Sequence, residues 1–181
     1  MAAVNVNSSS LPPAGKLYTV LLGSLIILLT STVPYLTMLN VFLFFGIFLA
    51  GAVSLNRTIL RFQVRLPYSE AFFLGCIIGM AGGVISEGFT FLLMEFFNYR
   101  PGAESLSLLI HWALDMAKGR PDLQQQVQVL VEAEKLALAP VKLTWSELLL
   151  NMLFSGAFYA PIAGFGGAFA VMRLKRKAAR G

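Results

Sequence analysis

Glu87 is the residue of this chain best placed to do chemistry. It lies near the middle of Ala71–Phe97 (AFFLGCIIGMAGGVISEGFTFLLMEFF), a stretch that is otherwise almost wholly apolar. A hydrocarbon core of about 30 Å takes roughly 20 helical residues, so this stretch reads as a membrane span. A carboxyl at that depth does not face lipid and needs polar partners from neighbouring helices. Counting ten residues back from Phe97 reaches Glu87, about 15 Å along a helix axis. Counting ten residues forward from Trp145 into the last apolar segment reaches Ser155, with Tyr159 one turn deeper. Those two hydroxyls are therefore depth-matched partners for the carboxyl, and the sequence offers no Lys or Arg at the same level. Two chemistries fit such a group. One is a proton or cation site; the other is a protonated acid hydrogen-bonded between helices at a packing or oligomer contact.

The remaining polar residues point to less. Glu95 and Glu147 fall near one interface on two different spans and read as solvated rim residues, and Asn151 reads as a packing residue. His111 is the single histidine, flanked by Ile110 and Trp112. A metal site needs further ligands at recognisable spacing, and no such set accompanies it. Cys76 is the single cysteine; it cannot form an internal disulfide and reads as a small packing residue. The sequence has no Gly-x-Ser-x-Gly elbow, no phosphate loop and no His-Glu-x-x-His motif. Gly164–Gly167 lies within an apolar span rather than after a strand, so it is a poor nucleotide loop. The expectation is no catalytic residue, no metal, no cofactor and no enzyme activity.

The elements that must position Glu87 follow from the hydropathy pattern. The chain of 181 residues is 57% hydrophobic and 13% charged, with a mean hydropathy of +0.73. Soluble domains carry about 25% charged residues, so the deficit alone points to a bilayer. Four apolar segments are expected to span it: 17–33, 36–55, 71–97 and 145–172. The first is longer than a signal peptide's apolar region, and no alanine-type cleavage site follows it, so it reads as a span. Residues 1–16 read as a disordered lead-in, 17–172 as one membrane domain, and 173–181 as a basic tail. The fold class is thus all-α, a four-span bundle of two hairpins with a two-helix cap over 98–144. Within that cap, Glu104–Lys118 carries an apolar face of Leu106, Leu109, Ile110, Ala113 and Ala117, widened by Leu108, Trp112 and Met116. Gly119 and Pro121 separate it from a second helix over Asp122–Ala139, which ends at Pro140.

Small residues mark the faces on which spans would meet. Gly75, Gly79 and Gly83 recur every fourth residue, and Glu87 continues their row. Gly46, Ala50 and Ser54 form a second stripe, and Ala160, Gly164 and Ala168 a third. Such residues let helix backbones approach closely in a membrane. Pro161 with Gly164, Gly166 and Gly167 leads us to expect a kink or a loosened stretch. Ser69 is placed to cap the third span, with Glu70 in its first turn.

Charge gives the orientation. Nine of the fourteen Lys and Arg residues are Lys16, Arg57, Arg61, Arg65, Arg173, Lys175, Arg176, Lys177 and Arg180, all flanking spans at one end. This is the positive-inside pattern, so both termini are expected in the cytoplasm. Arg57, Arg61 and Arg65 share one face of a short connecting helix, suited to lipid headgroup phosphates. The same distribution argues against nucleic acid as a partner.

The order of parts resembles an uncharacterised family of small bacterial four-helix membrane proteins of the Bacteroidetes type. The residues that carry the resemblance are the hairpin Leu17–Leu55, the entry Tyr68–Ser69–Glu70–Ala71–Phe72 followed by Gly75 and Gly79, the exit Tyr99–Pro101, and the last span with its basic end. The deep Glu87 and the length of the basic tail depart from that pattern. The resemblance implies the four-helix fold and a bacterial inner-membrane address, and supplies no activity. The function expected is that of a structural or accessory subunit working by helix packing, its partners being the bilayer and either copies of itself or other membrane subunits. The alternative is a small proton-coupled transporter or channel using Glu87.

Overall fold

The computed structural model describes residues 10–41, 43–117, 124–138 and 143–179. The expectations for the first nine residues, for Gly119, Pro121 and Pro140, and for Arg180 lie outside the described residues. Seven helices follow in order: α1 Pro13–Thr32, α2 Met38–Val41, α3 Phe45–Phe62, α4 Tyr68–Phe97, α5 Ala103–Ala117, α6 Gln124–Leu138 and α7 Trp145–Ala178. Four of them, α1, α3, α4 and α7, are long and apolar enough to cross a membrane. They pack as a bundle in which α4 and α7 form the most extensive pair, with α3 laid on α7 and α1 on both α4 and α3. The helices α5 and α6 pack on each other.

Local chemistry sets the helix ends. Pro13 opens α1, where a missing N–H costs nothing, so Gly15 and Lys16 belong to the first helix rather than to a lead-in. The helix stops at Thr32 because Val33, preceding Pro34, takes an extended conformation. The chain then reverses through a longer connection than the short turn expected, passing the single turn α2 and left-handed residues at Tyr35, Leu43 and Phe44. As a result α3 starts at Phe45, not Leu36. Two polar residues hold this connection away from a continuous helix. Asn40 donates through Nδ2 to the Thr30 carbonyl (3.1 Å) at the end of α1, and the Thr37 hydroxyl is bonded to that of Ser105 on α5. The first of these occupies one of the carbonyls that a helix C-terminus leaves free.

At its other end α3 runs on to Phe62, so Arg57 and Arg61 extend the span instead of forming a separate interfacial helix. Nothing between Asn56 and Phe62 breaks a helix, and termination waits for Gln63 in the left-handed region. Arg65 lies in the connector that follows. The N-cap of α4 is extended Pro67 rather than Ser69, which sits inside the first turn beside Glu70. Asn98, in the left-handed conformation its side chain tolerates, ends α4. Thr144 caps α7 in a reciprocal box with Glu147: the Thr144 amide donates to the carboxylate (2.8 Å), and the Glu147 amide donates to the Thr144 hydroxyl. The helix continues unbroken past Pro161, whose side faces outward.

The core is layered along the bundle axis. Leu55, Val64, Leu66, Ala71, Leu74, Ala170 and Val171 pack near the basic end, together with Leu11. Ile27, Ile47, Ala50, Ile78 and Ala163 form a middle layer, each fully buried. At the basic end Arg61 lies over the ring of Tyr18 (4.7 Å) and Lys175 over that of Tyr68 (4.1 Å). Aromatic rings there shield cations at the level where lipid headgroups would lie.

Candidate functional site

The α4–α7 seam is the scaffold of the site. A side chain on Gly75 would overlap the Ala163 carbonyl, and one on Gly79 the Tyr159 carbonyl. At Gly83 a Cβ would come within 2.8 Å of the Gly156 amide and of the Ser155 carbonyl. All three glycines therefore set the α4 backbone directly on that of α7. One further turn along the same row the contact changes from backbone to side chain. There the Ser155 hydroxyl donates to Glu87 Oε1 at 2.7 Å, joining the two spans across a partly buried site.

Tyr159 lies one turn deeper on α7. Its phenol lies near both Glu87 and the Ser31 hydroxyl of α1. Ser31 in turn receives Asn40 Nδ2–H at 3.3 Å. The Oδ1 atom of Asn40 is buried and has no partner among the described residues. Four segments of chain thus contribute to one polar cluster: Glu87 from α4, Ser155 and Tyr159 from α7, Ser31 from α1 and Asn40 from α2. Phe44 closes it laterally, its ring 5.0 Å from that of Phe158 and 6.5 Å from that of Tyr159.

Sequence spacing matched Glu87 in depth with Ser155, with Tyr159 one turn deeper, and the structure joins Glu87 to Ser155 by a hydrogen bond. It did not point to Ser31 or Asn40, because their register depends on the reversal between α1 and α3. The position of Asn40 just past an apolar helix that stops before Pro34 was the available signal. The small-residue stripes have different fates. Gly75, Gly79 and Gly83 face α7, and Ala160 and Gly164 are buried opposite Gly79 and against Cys76 and Phe72. Ala50 is buried in the middle layer, whereas Gly46 packs against Asn40 and Thr30 rather than against a span's backbone. Ala168 is half-buried.

Several close approaches had escaped the every-fourth-residue rule. Gly51 meets the Ala163 carbonyl, Gly166 the Phe48 carbonyl, Gly167 the Ala71 carbonyl, and Gly82 the side chain of Ile27. Each sits one or two residues from the nearest member of a stripe, as happens when one helix packs against two neighbours. The glycines expected to loosen α7 are therefore among its most tightly packed residues.

Other candidates stand apart from the cluster. Glu95 is exposed, and Glu147 is engaged by Thr144. His111 Nδ1–H donates to the Ser107 carbonyl (2.8 Å) on the exposed side of α5. Among the described residues no group of three His, Cys, Asp or Glu side chains is placed to hold a metal ion. Arg57, Arg61 and Arg65 are all exposed at the basic end.

Fold and site together define an all-α, multi-pass membrane protein with a hydrogen-bonded carboxyl inside its bundle. No family model, curated protein or solved structure matches the chain.

Proposed function

We propose that this protein is a non-catalytic structural or accessory subunit of the bacterial inner membrane, acting through helix packing, with its basic end and both termini in the cytoplasm. The observation that carries the reading is the α4–α7 seam, in which three successive turns of α4 rest on backbone atoms of α7. Contact of that kind excludes side-chain rearrangement and makes the bundle a rigid platform. Because the glycine faces are consumed within the chain, the surfaces left for a partner are the leucine row of α1 (Leu17, Leu21, Leu25 and Leu29) and the exposed side of α5 around Leu108, Trp112 and Met116. The clustering of Arg57, Arg61, Arg65, Arg173, Lys175, Arg176 and Lys177 at one end supports the orientation.

Purification in a mild detergent, with measurement of particle mass and identification of co-purifying chains, tests the proposal. A stoichiometric partner subunit or a defined homo-oligomer is the expected result. A monomer with no associated protein contradicts it. The Glu87–Ser155 bond favours a second reading, in which the same bundle carries a titrating group as a small proton-coupled transporter or channel.

A further inference from the structure

The exposed apolar surface of the molecule continues beyond the spans onto α5. There Leu108, Trp112 and Met116 follow one another at four-residue steps and are 48, 62 and 56% exposed. The adjoining row, Glu104, His111 and Asp115, is exposed and polar. Ile110, on the opposite side of the helix, is buried. Such a helix seats its apolar face on lipid or on protein, and its depth in the molecule decides between them. Ser105 gives the direction of the face. It stands seven residues before Trp112, two turns along the same side, and its hydroxyl is bonded to that of Thr37 in the reversal between α1 and α3. The side of α5 that begins on the bundle therefore runs on into Trp112 and Met116.

The depth follows from the packing of α1 on α4. A side chain on Gly23 would overlap Ile78 and one on Gly82 would overlap Ile27, so the two helices run the same way with Ile27 level with Gly82. Thr32, where α1 ends, is then level with Glu87, and Phe97 stands about 15 Å farther out. The reversal climbs only part of that distance. The Thr37 amide donates to the Val33 carbonyl, which folds 33–37 into a turn about 5 Å long. Two short hydroxyl side chains bridge from Thr37 to Ser105, so α5 returns from the end of α4 to a level no farther out than Phe97. Phe96, Phe97 and Trp145 are exposed at that end, as aromatic rings at the headgroup level are. Tyr35, Val41 and Leu43 of the reversal are exposed as well. The face of α5 thus continues the lipid-facing surface of the spans. The helix carries no Lys or Arg to seek lipid phosphate, so burial of apolar area is what holds it.

We propose that α5 is seated in the bilayer surface at the cap end of the bundle, with Leu108, Trp112 and Met116 among the outermost acyl-chain segments and Glu104 and His111 toward water. The occupant of the face is phospholipid, whatever its charge, and not a protein. The Thr37–Ser105 pair ties the start of the helix to the bundle at that depth. The inference refines the subunit reading, since it takes α5 out of the surfaces open to a partner and leaves the leucine row of α1. A monomeric particle would contradict that reading and leave this one intact.

The chain has two tryptophans, Trp112 and Trp145, so Trp145→Phe leaves Trp112 as the only tryptophan reporter. The full chain is placed in phosphatidylcholine vesicles whose acyl chains carry bromine near the headgroup, at mid-chain or near the methyl end. Its emission is followed in each, and in plain vesicles with iodide on both sides of the membrane. Bromine near the headgroup should quench at least about twofold more than bromine at the methyl end, as for an apolar face buried about 5–10 Å into the boundary. Iodide should quench weakly, and neither anionic lipid nor high salt should change the pattern. Leu108→Glu combined with Met116→Glu should reverse it, lowering bromine quenching and raising iodide quenching. The difference between wild type and Trp112→Phe gives the same reading with Trp145 in place, so a variant that fails to fold does not remove the test. Quenching by iodide alone would put the face in water, and shielding from both quenchers would put it under a partner or a second copy. Either result overturns the proposal, as would strongest quenching from the methyl end or a pattern that needs anionic lipid.

Discussion

In the basic half of the bundle, Ser54 and Thr58 donate to carbonyls of their own helix at 2.6 and 2.8 Å, and the single proton of the Thr19 hydroxyl is shared between the Gly15 carbonyl (2.7 Å) of its own helix and the Thr58 hydroxyl (2.8 Å) of the next span. In the cap half, Ser155 reaches across from α7 to the Glu87 carboxyl of α4, and Asn40 reaches across to the Ser31 hydroxyl and the Thr30 carbonyl of α1. The contrast teaches where polarity is spent in an apolar bundle. A hydroxyl that returns to its own backbone is satisfied whether or not its neighbour is present, so it stabilises helices without specifying how they associate. A carboxyl has no such local partner and must be met by another span, so it fixes the register of that span. The basic half therefore relies on packing for specificity, and the cap half on hydrogen bonding.

Four substitutions sharpen that comparison. The largest effect belongs to the packing that both halves share. Gly79→Leu should destabilise the bundle by about 3 kcal/mol or prevent its folding, since the added side chain meets the Tyr159 and Ala160 backbone rather than a flexible tip. Unfolding in mixed micelles of rising denaturing-detergent fraction measures it. In the cap half, Ser155→Ala should cost about 1–2 kcal/mol in the same assay, because it leaves a partly buried acceptor unmatched. Thr144→Ala should cost about 1 kcal/mol by removing the capping box of α7. It should also fray the first turn in hydrogen exchange without touching the bundle centre. The smallest loss is expected in the basic half. Thr58→Val keeps the shape, leaves Thr19 bonded to Gly15, and should cost about 0.6 kcal/mol, the usual worth of a hydrogen bond between spans. If Thr58→Val proved as damaging as Ser155→Ala, the distinction between the halves would collapse.

Much of this architecture can be read from the residues alone. Apolar length locates four spans, and equal depth from two helix ends pairs Glu87 with Ser155. That works because helical rise is constant and a membrane aligns its helices. What resisted reading were features set by contacts between elements. The start of α3 moved from Leu36 to Phe45 because Asn40 and Thr37 bond to α1 and α5, and hydropathy does not register such bonds. Arg57 and Arg61 looked like an interfacial helix because charge marks a boundary in composition, while the backbone needs a breaker to stop and finds none before Gln63. Gly51, Gly82, Gly166 and Gly167 were missed because a single stripe describes one neighbour, and α3, α4 and α7 each have more than one. For the same reason the glycines of α7, which by composition suggest looseness, are the points of closest contact.

The central claim is that Glu87 and Ser155 act as one unit that sets the register of α4 against α7. A double-mutant cycle measures it most directly: unfolding free energies of the wild type, Glu87→Leu, Ser155→Ala and the double variant, in the same micelles. The account predicts that the double variant is no worse than the worse single one, with a coupling of about 1 kcal/mol. Additive losses, within about 0.3 kcal/mol, would contradict it and leave the seam to glycine packing alone.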